Sequence, residues 1–242
     1  MRTRAATLVV CVLLAGPAFA QFASEPQRLE ALQHYRAGQQ LMADERFAEA
    51  VEAFQRAIDR DRLLTLAYYG QGQAYMAMRR FASAARMFTE CREAFRTLHG
   101  LQEVARQRVE QQRDSEMREL RDAVHRLATD RRRPRDVQIM QMETRVEDLE
   151  RHRTAPTTTF EPPAFVSLAL GSAYFRNGQL EAAEREWKAA VATNGRFGEA
   201  YNNLAALYAM TGRKREAEES LRSAERAGFH VNPQLKADID RL

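Results

Sequence analysis

The sequence predicts an all-α fold made of stacked helical pairs, and two observations carry that prediction. A helical pattern occurs four times, with steps of 34, 99 and 34 residues between equivalent positions. A fixed period of this size is typical of stacked repeats, which are used mainly for binding. The chain also has only 7 prolines and 11 glycines in 242 residues, which suits helices joined by short turns.

Five sets of positions keep the same steps, and each set shares a size or an aromatic character. They are Gly38, Gly72, Gly171 and Ala205; Leu41, Tyr75, Tyr174 and Tyr208; Ala50, Ala84, Ala183 and Ala217; Phe54, Phe88, Trp187 and Leu221; and Ala57, Cys91, Ala190 and Ala224. The middle step exceeds one repeat by 65 residues, so an insertion of that length separates the second unit from the third.

Each unit is predicted to contain two antiparallel helices joined by a short polar turn. In the first unit these helices are expected over residues 31–43 and 47–59. Ala50 is small, so the helices can approach closely, and Phe54 fills the groove between neighbouring pairs. Gly38 costs about 1 kcal/mol relative to alanine inside a helix, so a close contact must require it.

The repeated motif resembles that of the tetratricopeptide repeat family. The matching residues are Tyr69, Gly72, Tyr75, Phe81, Ala84 and Phe88; Leu168, Gly171, Tyr174, Ala183 and Trp187; and Tyr201, Leu204, Tyr208, Ala217 and Leu221. The resemblance covers residues 31–98 and 164–231, and implies a right-handed superhelix whose inner groove holds a peptide or a partner helix. His34 departs from the tryptophan that the family favours, and Arg62 and Gly195 from its frequent proline. Residues 235–242, after Asn232-Pro233, resemble the terminal capping helix that such arrays need.

The groove would be lined by the first helix of each unit, on the face opposite its packing face. By spacing, this face is mildly aromatic and nearly uncharged, and comprises Tyr35, Gln39 and Met42; Tyr69, Gln73 and Met76; Leu168, Ser172 and Phe175; and Asn202, Ala206 and Ala209. Family members that hold a chaperone's terminal carboxylate use lysine, arginine and asparagine. Tyr35, Gln39 and Gly70 stand at those places here, which argues against that ligand. The groove is predicted to bind an extended or helical protein segment, and a solvated or self-packed face is the alternative.

The insertion is predicted to form an antiparallel helical hairpin, because two apolar stripes in it are symmetric about one point. The stripes, each stepping by 3, 4 and 3 residues, are Met117, Leu120, Val124 and Leu127, and Ile139, Met142, Val146 and Leu149. The fold-back point is Arg133, beside Pro134, the only proline in that stretch and a helix breaker.

The hairpin needs only residues 113–153, so residues 98–112 are expected to prolong the preceding helix and carry the hairpin outward as an arm. Its apolar seam is narrow, and a homodimer formed through the arm is one alternative. The Arg131–Arg135 cluster at the tip is either a solvated turn or a contact for anionic lipid or cell-wall polymer. A linker over 154–163 follows, whose prolines and β-branched residues favour extended backbone.

The first twenty residues are predicted to be a secretory signal peptide. A basic start precedes an apolar run over residues 5–15, and the small residues Ala18 and Ala20 follow. The run is too short for a bilayer core of about 30 Å, which needs about 20 apolar residues. Cleavage after Ala20 would leave an exported chain, periplasmic or secreted, that begins at Gln21.

Charge and cysteine content exclude two further classes. The mature chain would carry 35 basic and 33 acidic residues, a balance that argues against nucleic-acid binding. Cys91 would be its only thiol, so no intramolecular disulfide is expected. Because Cys91 occupies a small-residue register, it is interpreted as a buried structural thiol.

No sequence pattern indicates catalysis, a cofactor or a metal. The chain lacks a glycine-rich phosphate loop, a nucleophile elbow, a paired-histidine helix and a Cys-x-x-Cys motif. Its five histidines are scattered, and none is followed three or four residues later by a histidine, cysteine or aspartate that would make a convincing metal pair. The prediction is therefore an exported adaptor that is not an enzyme, binds a protein segment in its groove and uses the arm for oligomerisation or a second partner. A self-associating structural protein of the cell envelope and a solute- or glycan-binding module are the alternatives.

The predicted organisation has five segments. They are a signal peptide over 1–20, a first repeat pair over 21–98, the helical extension and hairpin over 99–153, the linker over 154–163, and a second repeat pair with its capping helix over 164–242.

Overall fold

The computed structural model describes residues 23–129, 137–152 and 160–242, and this part of the chain contains ten helices and no strand. The helices are α1 Glu25–Ala43, α2 Phe47–Arg60, α3 Thr65–Ala77, α4 Phe81–Thr129, α5 Val137–Arg151, α6 Ala164–Arg176, α7 Leu180–Thr193, α8 Gly198–Met210, α9 Lys214–Arg226 and α10 Pro233–Asp240. The predicted all-α class of stacked helical pairs is confirmed. The predicted signal peptide, the predicted fold-back point at Arg133 with the Arg131–Arg135 cluster, and linker residues 154–159 lie outside the described residues.

Four helical pairs repeat one packing arrangement: α1 with α2, α3 with the first part of α4, α6 with α7, and α8 with α9. In the first pair, a Cβ atom added at Gly38 would lie 2.6 Å from the Phe54 ring. Glycine is therefore required for the close approach of the two helices, despite its poor helix propensity. In the fourth pair Ala205 stands in the glycine position and Leu221 in the aromatic one.

The insertion does not interrupt the stack, because α4 packs against α6 as α2 packs against α3 and as α7 packs against α8. Phe88 of α4 shares a buried cluster with Leu170 of α6. Arg92 of α4 also forms an ion pair with Glu186 of α7, with 2.9 Å between Nη1 and Oε1. The two repeat pairs thus touch directly and form one continuous array.

Helix α1 begins six residues before the start expected at residue 31, so that boundary was wrong. The backbone N–H of Ser24 donates to Oε1 of Gln27 at 2.8 Å, half of a capping box. Pro26 lies in the first turn, where its missing N–H has no helical partner to lose. The early start adds more than one turn to the helix and brings Leu29 onto it.

Helix α10 covers the last pair. The side chain of Asn232 accepts a hydrogen bond from the backbone N–H of Gln234 at 2.8 Å, which caps the helix start. Ile239 is fully buried in the cluster formed by α7, α8 and α9. The predicted capping helix is thereby observed, but it both begins and ends two residues earlier than the expected 235–242.

The arm is the continuation of α4 beyond the stack. At 49 residues α4 is 35 residues longer than α2, and it spans about 74 Å at 1.5 Å per residue. Helix α5 packs against its outer part. Nη1 of Arg113 donates to the carbonyl oxygen of His152 at 2.9 Å. Arg113 lies 16 positions before Thr129, where α4 ends, and His152 lies 15 positions after Val137, where α5 begins. Because residues at nearly equal distances from these two ends are in contact, α4 and α5 run antiparallel.

Candidate protein-interaction site

The predicted groove residues lie at helical spacing on the first helices of the four pairs, α1, α3, α6 and α8, and the surface that they are expected to form is termed here the inner face. Their exposure differs along the array. Gln39 and Gln73 are exposed; Tyr35, Met42, Tyr69, Met76, Ser172, Phe175 and Asn202 are half-buried; and Leu168 is buried. A partner could therefore reach most of this set, but little of Leu168.

The aromatic residues of the inner face rest on the large side chains of the second helices. The Tyr35 ring lies 5.8 Å from that of Phe54, and the Tyr69 ring lies 5.4 Å from that of Phe88. Burial raises the pKa of Tyr35, and a hydrogen bond from Gln39 at 3.0 Å partly offsets this. Both tyrosines are thus neutral, held in place by packing, and half open to solvent.

Three residues on the N-terminal side of the inner face were missed by the sequence analysis. Leu29, Leu32 and Leu66 are 57%, 38% and 43% exposed, although they are large and aliphatic. Phe165 stands at the position of Leu32 and Leu66 in the third repeat. The periodicity could have revealed this row, because residues 32, 66 and 165 keep the steps of 34 and 99 and precede Tyr35, Tyr69 and Leu168 by three positions.

The third and fourth repeats offer a more polar and more buried part of the face. The Leu168 carbonyl oxygen accepts hydrogen bonds from Oγ of Ser172 at 2.9 Å and from Nε1 of Trp187 at 3.2 Å. The carboxamide oxygen of Asn202 is buried without a hydrogen-bond partner among the described residues. The most accessible apolar surface is therefore on α1 and α3.

Charge is nearly absent from this face. Leu32, Tyr35, Gln39 and Met42 of α1 each have an equivalent position in α3, α6 and α8, which gives four rows of side chains. The single charged residue in these four rows is Glu199 of α8. An inner face of this kind can bury apolar side chains and offer glutamine amides to a backbone. It has no group in these rows that would neutralise a carboxylate or phosphate.

The seam residues of the arm face each other within the chain. Met117, Ile139 and Leu149 are buried, and Leu120, Val124, Leu127, Met142 and Val146 are half-buried. Ion pairs between the two helices flank them: Arg145 with Glu116 at 2.9 Å, and Arg121 with Glu150. Because the seam is already covered by its own hairpin, it offers little surface to a second chain.

Metal ligation and thiol reactivity are the two kinds of chemistry at issue for the described residues. They contain no group of three or more histidine, cysteine, aspartate or glutamate side chains that could hold a metal ion. Burial raises the pKa of the Cys91 thiol to about 12, and its Sγ donates to the carbonyl oxygen of Thr65 at 3.3 Å. This thiol is therefore protonated and inert. Across the described part of the chain, no helix has the length and apolar character needed to cross a membrane.

Solved structures with a similar overall arrangement share little sequence with the chain. PilW, described as a widely conserved type IV pilus biogenesis factor, is 15% identical, with 87% of this chain and 84% of that one covered and a TM-score of 0.39. YrrB, a TPR protein with an unusual peptide-binding site, is 15% identical, with coverage of 90% and 94% and a TM-score of 0.31. TTC0263, a thermophilic TPR protein of Thermus thermophilus, is 21% identical, with coverage of 87% and 97% and a TM-score of 0.33. At these values the likenesses carry no functional argument, and no curated protein matches the chain.

The repeat itself is more specific. The tetratricopeptide repeat family model matches residues 35–96 and 168–228, which are the two repeat pairs on either side of the arm. These stretches make up just over half of the 242 residues. The chain belongs to the tetratricopeptide repeat family.

Proposed function

We propose that this protein is an exported interaction scaffold that binds an uncharged, apolar protein segment on its inner face. The observation that carries the proposal is the exposure of Leu29, Leu32 and Leu66 beside two ordered tyrosines on an uncharged surface. Leu29 and Leu32 lie one turn apart on α1, and Leu66 occupies the position of Leu32 in the next repeat, so the three residues form a row. Clusters of exposed apolar side chains are typical of interaction sites. Tetratricopeptide repeats are typically non-catalytic interaction modules, which agrees with the absence of a catalytic motif in the sequence.

Export is part of the proposal and rests on the sequence of the first twenty residues. A fusion of residues 1–25 to alkaline phosphatase, which is active only after export from the bacterial cytoplasm, tests it directly. Active fusion and a mature N-terminus at Gln21 are expected. An inactive fusion, or an intact first residue on the purified protein, would remove export from the proposal.

Binding is tested by cross-linked capture from envelope extract with the mature chain and two variants. The double variant Leu32→Glu/Leu66→Glu places two charges on the inner face at exposed sites, so the fold should be kept. Val137→Glu, a similarly exposed apolar site on the arm, is the matched control. A protein retained by the wild type and the control, and lost by the double variant, is the expected result. Equal recovery with all three would refute the inner face as the site.

Self-association is a second candidate function, favoured by apolar residues on the arm that lie outside its seam. Val109 and Met140 are 62% and 61% exposed. A dimer that buries them should dissociate in the variant Val109→Glu/Met140→Glu, measured by sedimentation velocity over a range of concentrations. Leu120→Arg or Val146→Arg would be a poorer test, because these residues pack inside the hairpin and their loss would disrupt the arm itself.

A further inference from the structure

A recess lies where the arm leaves the stack, between α4 and the chain segment that leads into α6. It has a volume of about 670 Å³ and is lined mainly by Phe95, Leu98, His99, Gln102, Phe160 and Pro163. Its size falls within the range of about 300 to 1,000 Å³ that is typical of ligand-binding clefts. An ordinary helical pair would lack this recess, because its wall is the part of α4 that extends beyond the repeat.

The recess is continuous with the inner face through a chain of aromatic contacts. The ring of Phe165, on the inner face, lies edge-on to Tyr69 at 5.0 Å and to Phe95 at 6.2 Å. Phe95 in turn lines the recess. A segment bound along the inner face could therefore place one side chain in the recess without leaving the apolar surface.

The walls of the recess are suited to an aromatic ring. The Phe160 ring lies 5.3 Å from the ring of His99, and the guanidinium carbon of Arg96 lies 5.7 Å from the Phe160 ring centre. Aromatic rings gain about 0.5 to 1.5 kcal/mol from such contacts beyond the burial of their area. His99, Gln102 and Glu161 add polar atoms to a lining that otherwise consists of Phe95, Leu98, Phe160 and Pro163, so a ring with one polar end can satisfy both.

We propose that this recess is an anchor pocket for a tyrosine or tryptophan side chain of the bound partner segment. The inference rests on the proposed function, since the anchor belongs to the segment on the inner face. A purely aliphatic side chain would fill the recess without using the polar atoms of His99 and Gln102, whereas a phenol or an indole can form a hydrogen bond with them. Arg96 and Glu161 place one charge of each sign near the recess, so their fields favour neither a cation nor an anion overall. Tyrosine and tryptophan are also the side chains that most often dominate protein interfaces.

The proposal gives the base of the arm a role in binding, separate from any role of the hairpin beyond residue 113. It also gives the partner a chemical signature: an uncharged apolar segment with one tyrosine or tryptophan placed over the junction of the second and third repeats.

The test uses a displayed library of random 12-residue peptides, selected on the full mature chain. Enrichment of tyrosine or tryptophan at one fixed position is expected, and its replacement by alanine should weaken binding at least tenfold. Leu98→Glu should weaken the original peptide by a similar factor and have little further effect on the alanine peptide. Val104→Glu is the matched control, because Val104 lies on the same helix but points away from the recess.

Gln102→Trp provides a second variant that does not touch the core, because Gln102 is exposed and its replacement would fill the recess from outside. It should abolish the preference for an aromatic residue. Two results would overturn the anchor pocket and leave the inner face as the site. One is that the selected peptides lack an aromatic residue. The other is that their binding is lost with Leu66→Glu but not with Leu98→Glu or Gln102→Trp. Failure of the wild type to select any peptide would overturn both.

Discussion

Replacement of Gly72 by alanine tests the close packing on which the repeat depends. The Cβ atom of an alanine at this position would lie 2.5 Å from Cε1 of Phe88, and 2.8 and 2.9 Å from two neighbouring ring atoms. Phe88 is only 1% exposed and is held in a cluster with Leu170, so its ring has no open space into which to move. The added methyl group must therefore push the two helices apart or strain the ring.

The expected loss follows from two opposing effects. Overpacking of a well-filled core costs about 1 to 3 kcal/mol. Alanine also favours the helix by about 1 kcal/mol relative to glycine. Because Phe88 is trapped, the upper part of the first range applies, and Gly72→Ala should lower the free energy of unfolding by about 1 to 2 kcal/mol.

The matched control is Gly100→Ala in α4, where an added Cβ atom meets nothing within 4 Å. This variant gains helix propensity without a clash and should be more stable by up to about 1 kcal/mol. The double variant Gly72→Ala/Phe88→Leu should lose less than the sum of its single variants, because Ala205 with Leu221 already forms that pair in the fourth repeat.

Urea unfolding measures all four variants, followed both by far-ultraviolet circular dichroism and by the fluorescence of Trp187. Two probes are needed because repeat arrays can unfold in parts. If Gly72→Ala proves as stable as Gly100→Ala, the close approach of Gly72 to Phe88 does not govern this glycine. If the double variant shows simple additivity, the two positions do not interact.

Three further predictions concern the turns, the charged network and the thiol. Gly178 has φ +78°, and Arg79 occupies the equivalent position with φ +58°, so Gly178→Ala should lose about 1 kcal/mol in urea unfolding while Arg79→Gly loses nothing. Burial raises the pKa of Glu184, but hydrogen bonds from Lys188, Arg213 and Tyr208 outweigh this and lower it to about 2. The stability that Glu184 contributes is therefore present above its unfolded pKa of about 4.3 and lost as the pH falls towards 2. Because Lys188 and Arg213 are partly exposed, that contribution is discounted to about 1 to 2 kcal/mol, and Glu184→Gln should lose the dependence between about pH 5 and 2. Cys91 should resist iodoacetamide at about pH 8 in the native protein and react after unfolding in urea.

The repeat periodicity predicted the fold because it reports packing between neighbours. Gly38 and Phe54 must meet, and the same requirement recurs one repeat later at Gly72 and Phe88. The start of α1 could not be obtained in this way, since its first turns precede the repeat and depend on the local capping of Ser24 by Gln27. The continuity of the stack was likewise out of reach, because it depends on contacts such as that of Phe88 with Leu170 across the insertion.

The candidate site was only partly predictable for a related reason. Spacing predicts that Tyr35 and Tyr69 lie on the face opposite the packing face, and in the structure both are half-buried beside the rings of Phe54 and Phe88. Spacing does not predict how deeply each of these residues is buried. Leu168 occupies the same position in its repeat as Tyr35 and Tyr69, but it is buried against Trp187 in the core. The recess at the arm base has no periodic signal at all, because it joins residues near 98 and near 160 that only the fold brings together.

The position of the insertion explains how one chain can carry both an intact stack and an arm. The first turns of α4 contact the third repeat, through Phe88 and through the ion pair between Arg92 and Glu186. Phe95 makes the last aromatic contact with α6, and from Leu98 onward the helix extends beyond the repeats. An extension that begins there leaves these inter-repeat contacts in place, so the array tolerates it. It also places a rigid helical wall beside the inner face, which a flexible loop of the same length could not provide. The arm is therefore expected to alter what the array can bind without altering how the array holds together.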